Sequence, residues 1–84
     1  MKILIRNLSR ETTEAELRAM FEAFGLVEAC NLVMDKETGK SKGFGFTEMP
    51  KHMDAKTAIK RLNNQNVKGS VIRVKAADVP GASS

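Results

Sequence analysis

The sequence predicts a single α+β domain whose elements follow in the order β-α-β-β-α-β. Three observations predict it. Several short segments alternate between the two faces of a strand, two segments carry apolar residues three and four positions apart, and 84 residues leave room for one domain. Because each helical segment has one apolar stripe, both helices are expected on one face of a four-stranded antiparallel sheet. The opposite face is expected to stay open to solvent.

The first predicted strand is the apolar run 3–5, which ends at Asn7, a residue suited to turns. Ile3 and Ile5 share one face and are expected to point into the core. The outward face then carries Lys2, Leu4 and Arg6.

The first predicted helix begins at a capping box in which Thr13 is the N-cap and Glu16 reaches back to its backbone. Apolar residues then recur with the spacing of an amphipathic helix, at Leu17, Met20, Phe21 and Phe24. Gly25 follows at the position where a helix commonly ends.

Residues 26–34 predict a second strand with Val27, Cys30 and Leu32 pointing inward. The spacing of three between Val27 and Cys30 breaks the alternation, so a β-bulge is expected there. The polar segment 35–41 predicts a hairpin loop that leads into the next strand.

The octapeptide 42–49 is the third predicted strand and the most informative segment of the chain. One face carries Lys42, Phe44, Phe46 and Glu48, and the other carries Gly43, Gly45, Thr47 and Met49. Because charged residues share the face of the two phenylalanines, we expect that face to be open. Exposed rings beside a cation suit stacking on nucleobases and contact with phosphates.

The remaining elements are a second helix and a last strand. Pro50 ends the third strand, and a second apolar stripe predicts a helix that closes near residues 63–64; its members are Ala55, Ala58, Ile59 and Leu62. Residues around 67–69 form a connection. In the strand 71–76, Ile72 and Val74 point inward, and the outward residues are Val71, Arg73 and Lys75. The domain is expected to span residues 1–77, with a loose tail at 78–84.

The charge and the single cysteine bear on the partner and the compartment. A net charge of +4 and a pI near 9.5 favour an anionic partner. Cys30 is the only cysteine, so no intramolecular disulfide can form, and a reducing, cytoplasmic location is expected. No segment reaches the length of a membrane span, and no membrane partner is expected.

Two motifs together resemble the RNA recognition motif family. The octapeptide 42–49 fits the family pattern basic-Gly-aromatic-Gly-Phe-aliphatic-any-aromatic at most positions, and the hexapeptide 3–8 is similar to aliphatic-aromatic-aliphatic-any-Asn-Leu. The resemblance covers residues 2–77 and implies a ferredoxin-like fold. The short chain also resembles the single-motif RNA-binding proteins of bacteria.

The resemblance implies that the chain binds single-stranded RNA, with bases stacked on Phe44 and Phe46 and Lys42 on a phosphate. Cations on the same predicted face extend the charge, and main-chain groups near Ala77 are expected to take base edges. The predicted RNA-binding residues are Lys2, Leu4, Arg6, Lys42, Phe44, Phe46, Arg73, Lys75 and Ala77. Single-stranded DNA is left open as a partner.

Three residues depart from the family pattern. Leu4 stands where the hexapeptide usually has an aromatic residue, so one stacking platform is missing, and weak binding with little sequence discrimination is expected. Thr47 and Met49 depart from the octapeptide, but both are expected in the core, where they affect packing alone.

The main alternative is a protein-interaction module in which the open face binds a peptide or a second copy of the chain. A monomer is expected, with a homodimer as the alternative. A cold-shock barrel shares the Lys-Gly-Phe-Gly-Phe run, but its all-β fold has no place for the second helical stripe. No structural zinc site is expected, because His52 and Cys30 are the single members of their residue types. No enzyme or cofactor is expected either, because the glycine runs at 39–41 and 43–45 do not complete a nucleotide-binding loop and the carboxylates at 11–16 suit a helix start better than catalysis.

Overall fold

The computed structural model describes residues 1–77, and the predicted tail at 78–84 lies outside the described residues. The predicted order β-α-β-β-α-β is confirmed, with one additional short hairpin before the last strand. The elements are β1 (Lys2–Arg6), α1 (Glu14–Glu22), β2 (Ala29–Met34), β3 (Ser41–Glu48), α2 (His52–Leu62), β4 (Asn66–Val67), β5 (Ser70–Val71) and β6 (Arg73–Ala76). Within residues 1–77, neither helix is long and apolar enough to cross a membrane.

Four strands form one antiparallel sheet in the order β2-β3-β1-β6, so β1 and β3 are the central strands. Both helices pack on the same face of this sheet, which is the ferredoxin-like arrangement that the sequence predicts. The central position of β1 and β3 determines which side chains meet on the opposite face.

The core lies between the sheet and the two helices. Ile3 and Ile5 point inward from β1 and are fully buried, as the alternation predicts. They belong to one cluster with the buried residues of α1, Leu17 and Phe21, and with those of α2, Ala55, Ala58 and Leu62. Burial of these apolar side chains is the main stabilising contribution to the fold.

The capping box of α1 is confirmed. The Thr13 Oγ1 accepts from the Glu16 N–H (3.2 Å), and the Glu16 Oε1 accepts from the Thr13 N–H (3.0 Å). These bonds satisfy two backbone donors that a helix start otherwise leaves free. The helix ends at Glu22, two residues before the end of the apolar stripe, so Phe24 packs against the core from the segment that follows.

The predicted β-bulge between Val27 and Cys30 is wrong. Strand β2 begins at Ala29, so Val27 precedes it, and the register shift lies between Leu32 and Met34 instead. Val27 is nevertheless buried, because the segment before β2 already runs along β3, where the Glu28 N–H donates to the Glu48 carbonyl (2.7 Å). Val27 and Cys30 therefore need no bulge to face the same core.

The single last strand predicted at 71–76 is divided at Ile72. Residues 66–71 form the β4–β5 hairpin, in which Lys68 and Gly69 both have positive φ (52° and 86°), as its tight turn requires. The Lys68 Nζ lies 2.9 Å from the Glu16 Oε1, so this hairpin is tied to α1. The hydrogen bond from Lys68 lowers the pKa of the Glu16 carboxyl.

Candidate nucleic-acid interface

The face of the sheet away from the helices, the open face, consists of outward side chains from all four strands of the sheet. Eight of the nine predicted binding residues lie on it: Lys2, Leu4, Arg6, Lys42, Phe44, Phe46, Arg73 and Lys75. None of the three apolar ones, Leu4, Phe44 and Phe46, belongs to the buried core or to the residues packed against it. The two rings therefore point away from the helices, as the octapeptide predicts.

A row of side chains crosses the middle of the open face. The strand register places Phe46 beside Leu4, and Leu4 beside Lys75. Asn31 of β2 flanks Phe46 on the other side. Directly opposed side chains on neighbouring strands lie in contact range, so Leu4 extends the apolar surface of the Phe46 ring towards the Lys75 ammonium.

A second row of side chains crosses the open face at Arg6, two residues further along β1 than Leu4. Arg6 is directly opposite Arg73, and the register that pairs Ile5 with Gly45 puts Phe44 on the other side of Arg6. Like charges in directly opposed positions destabilise a sheet, so an anion bound between the two guanidinium groups is favourable. The Arg73 Nη1 donates to the Asn64 Oδ1 (2.8 Å), which orients that side chain at the sheet edge.

A depression of about 500 Å³ lies beside this pair of arginines. Its polar lining includes Arg6, Arg73 and Lys75 together with the amides of Asn7 and Asn63, and no carboxylate. The two asparagines were not selected from the sequence, because one is in a turn and the other follows α2. This part of the interface can take a phosphate or a hydrogen-bonding base edge.

The Phe44 end of the open face also has more positive charge than the sequence predicts. Arg10, in the loop between β1 and α1, lines one depression together with Arg6, Lys42 and Phe44. Sequence analysis missed Arg10 because the loop has no periodicity that assigns it to a face. Only its position a few residues after the hexapeptide 3–8 could have drawn attention to it.

Within residues 1–77, the cations of the open face form no ion pair. Two ion pairs occur within residues 1–77, Arg18 with Glu22 and Lys68 with Glu16, and neither involves this face. The Lys2 Nζ instead lies over the Phe46 ring, 4.8 Å from its centroid. Glu48, opposite Lys2 in the register, is the acidic residue of β3 on this face, and among the described residues it forms no ion pair with the cations there.

Ala77, the ninth predicted residue, continues the sheet beyond β6. Its N–H donates to the Lys2 carbonyl (2.8 Å), so this donor is already used by the fold. The predicted contact of main-chain groups near Ala77 with base edges stays a prediction.

Cys30 lies on the opposite, buried side of the sheet. It receives a hydrogen bond from the Thr47 Oγ1 (3.7 Å), and burial raises the pKa of its thiol. A buried thiol with a raised pKa is a poor nucleophile, so Cys30 acts as a small core residue.

Comparison with known proteins identifies the arrangement. The family model of the RNA recognition motif matches residues 3–73. Multiple RNA-binding domain-containing protein 1 of Candida albicans is 35% identical over 77 residues, which are 92% of this chain and 9% of that protein. The human poly(U)-binding-splicing factor PUF60 is 32% identical over 79 residues, 94% of this chain and 14% of that protein. The chain thus spans only a small part of these relatives.

Solved structures show the same fold. The crystal structure of RNA binding protein PG1 superposes with a TM-score of 0.87 at 37% identity, covering 95% of this chain and 98% of that chain. RNA recognition domains 1 and 2 of Sex-lethal from Drosophila melanogaster give a TM-score of 0.88 at 32% identity, covering 93% and 50%. The Sxl-lethal protein/RNA complex gives 0.87 at 32% identity, covering 95% and 48%.

Proposed function

This chain belongs to the RNA recognition motif family, and we propose that it binds single-stranded RNA on the open face of its sheet. Bases stack on Phe44 and Phe46, and the surrounding cations contact phosphates. The observation that carries the proposal is the outward direction of both rings, on a central strand, among cations that have no acidic partner within residues 1–77.

The spacing of the two rings suits two successive bases. Phe44 and Phe46 are two residues apart on one face of β3, which corresponds to about 6.7 Å along a strand. Each ring can therefore accept its own base, and each stacked base contributes roughly 1–3 kcal/mol. Because stacking accepts any base, we expect this part of the binding to discriminate little between sequences.

Leu4 limits the affinity. It lies next to Phe46 on the neighbouring strand, where it offers apolar contact but no aromatic face. The platform therefore has two rings, and weak binding of short single strands is part of the proposal.

The cations contribute an electrostatic term that is independent of sequence. Arg6, Arg73 and Lys75 line the depression at the β6 side, and Lys42 lies near Phe44. The affinity should fall with salt, with a log–log slope of roughly −0.7 for each phosphate neutralised on a single strand.

The comparisons support RNA over the alternative occupants of this face. PUF60 is named as a poly(U)-binding protein, and one structural neighbour is part of a protein/RNA complex. They do not favour the protein-interaction alternative. Binding of DNA, a monomeric state, a cytoplasmic location and a domain limit at Ala77 belong to the proposal as expectations.

Amide chemical shifts recorded during titration with a short oligouridylate test the proposal. We expect perturbations on β1 and β3, centred on Phe44 and Phe46, and a weakening of roughly 1–3 kcal/mol for Phe44→Ala. Met53→Ala is a suitable control, because Met53 is an exposed apolar residue (75% exposed) in α2, on the helical side of the sheet. Equal affinities for the two variants would refute stacking on Phe44. A parallel titration with the matching oligodeoxynucleotide separates RNA from DNA binding.

A further inference from the structure

The loop between β1 and α1 is held against the beginning of β3. The Leu8 N–H donates to the Gly43 carbonyl (2.8 Å), and the Leu8 side chain is buried. Gly43 has a φ of +86°, and a Cβ added there would lie 3.1 Å from the Leu8 carbonyl oxygen. Glycine at this position therefore permits both the backbone conformation and the close approach of the loop.

The same contact brings Arg10 beside the beginning of β3, where it lines depressions that also contain Phe44. The Arg10 Nε lies 3.8 Å from the position that a Gly43 Cβ would occupy, although 33 positions in the sequence separate the two residues. Besides a depression that it shares with the carboxylates of Glu11 and Glu14, Arg10 lines two adjoining depressions of about 270 and 400 Å³. Both also contain Phe44 and Lys42; Arg6 lines the first, and Lys40 lines the second.

We call these two depressions the basic groove, defined by Arg6, Arg10, Lys40 and Lys42. Its one carboxylate is that of Asp35, whose Oδ1 accepts a hydrogen bond from the Glu37 N–H (2.8 Å). Within residues 1–77, no hydrogen bond or ion pair engages the side chains of Arg10, Lys40 or Lys42. Several unpaired cations in one groove repel each other, and a bound anion removes that repulsion.

The groove adjoins the ring on which the proposed function stacks a base. An RNA strand stacked on Phe46 and Phe44 can continue into the groove, because Phe44 lines both depressions, which lie beside the β1–α1 loop and the β2–β3 hairpin. The planar guanidinium of Arg10 can donate two parallel hydrogen bonds to a phosphate, which an ammonium group cannot do.

We propose that the basic groove is a phosphate-binding site that continues the RNA path beyond Phe44, with Arg10 as its principal phosphate ligand. The inference rests on RNA binding by the open face and extends it to two residues outside the sequence motifs, Arg10 and Lys40. It assigns Arg10 a role that the position of the residue in a loop does not predict.

The test compares Arg10→Ala with Arg61→Ala, a change of the same residue type in the last turn of α2, on the helical side of the sheet. Dissociation constants for a fluorescently labelled short oligouridylate are measured by anisotropy over a series of potassium chloride concentrations. We expect Arg10→Ala to bind more weakly at low salt, with a log–log slope shallower by roughly 0.7. Arg61→Ala should retain the wild-type slope. Arg10→Lys should keep the slope and lose part of the affinity.

A wild-type slope for Arg10→Ala would overturn the inference. Phe44→Ala in the same series tells the two proposals apart: if it weakens binding while Arg10→Ala does not, the open face binds RNA and the groove does not. As a measurement free of any folding defect, the side-chain Nε–Hε resonance of Arg10 in the wild-type protein should shift when the oligouridylate is added. An unchanged resonance at saturation would also overturn the inference.

Discussion

The ammonium group of Lys2 lies 4.8 Å from the centroid of the Phe46 ring, a cation–π contact between β1 and β3. The register pairs Lys2 with Glu48 and Leu4 with Phe46, so Lys2 and Phe46 are diagonal neighbours on the open face. Such a contact contributes about 0.5–1 kcal/mol at an exposed site. A base that stacks on this face of the ring must displace the ammonium, which then becomes free to contact a phosphate.

The effect of Lys2→Ala on RNA affinity should therefore differ between low and high salt. At low salt the loss of a cation weakens RNA binding, and the log–log slope becomes shallower by roughly 0.7. At high salt the charge matters little, and the variant should bind as tightly as the wild type or more tightly, because nothing competes for the ring. Anisotropy titrations at several salt concentrations check this, with Lys56→Ala of α2 as the control. A constant ratio of affinities at all salt concentrations would contradict the displacement.

Leu4→Phe should add a third aromatic ring to the stacking platform formed by Phe44 and Phe46. Position 4 lies between Phe46 and Lys75 in the middle row, so the new ring can take a further base. We expect binding of a short oligouridylate to tighten by roughly 1–3 kcal/mol.

Leu4→Ile provides the matched control for this change, since it keeps an apolar side chain of the same size without an aromatic face. Its affinity should stay near that of the wild type. If Leu4→Phe behaves like Leu4→Ile, position 4 does not reach a base.

Gly45→Ala should destabilise the fold. A Cβ at position 45 would lie 2.6 Å from the Asn31 carbonyl oxygen and 3.2 Å from the Leu17 Cδ2. The first of these atoms belongs to the backbone of the paired strand and cannot move without disturbing the sheet. Overpacking of this kind costs about 1–3 kcal/mol of unfolding free energy, which urea denaturation measures.

Gly45 is on the inner face, so Gly45→Ala should leave the RNA affinity of the folded fraction close to the wild-type value. Gly39→Ala is a useful comparison, because a Cβ at that position meets no atom within 4 Å and only its φ of +74° is unfavourable. A wild-type unfolding midpoint for Gly45→Ala would show that the sheet accommodates the methyl group.

Cys30 should react slowly with thiol reagents in the native protein. Its side chain is buried, and desolvation raises the pKa of the thiol, so the thiolate is scarce below that pKa. Because the folded state favours the neutral thiol, the burial of this thiol contributes to the free energy of unfolding only while it stays protonated. The contribution is complete below the ordinary thiol pKa and is lost as the pH rises through the raised value. Labelling with a maleimide should become fast in urea. Equally fast labelling without urea would contradict the burial.

Local patterns predict the elements of this chain well because they depend on residues close together in the sequence. The alternation in 42–49 correctly separates the two outward rings from the inward Thr47 and Met49. The capping box correctly marks the beginning of α1. The spacing of Val27 and Cys30 led to the wrong prediction of a β-bulge. The burial of Val27 depends on the path of a segment that is not part of the strand.

The sequence by itself determined the order of the elements, the faces of each strand and the aromatic pair of the open face, because side-chain direction repeats with the local period of the backbone. The tertiary structure alone decided which side chains become neighbours. The row from Phe46 through Leu4 to Lys75, the ammonium of Lys2 over a ring and the approach of Arg10 to Phe44 all depend on pairing between distant segments. Strand register and backbone contacts such as that between Leu8 and Gly43 determine this pairing, and no local period encodes it.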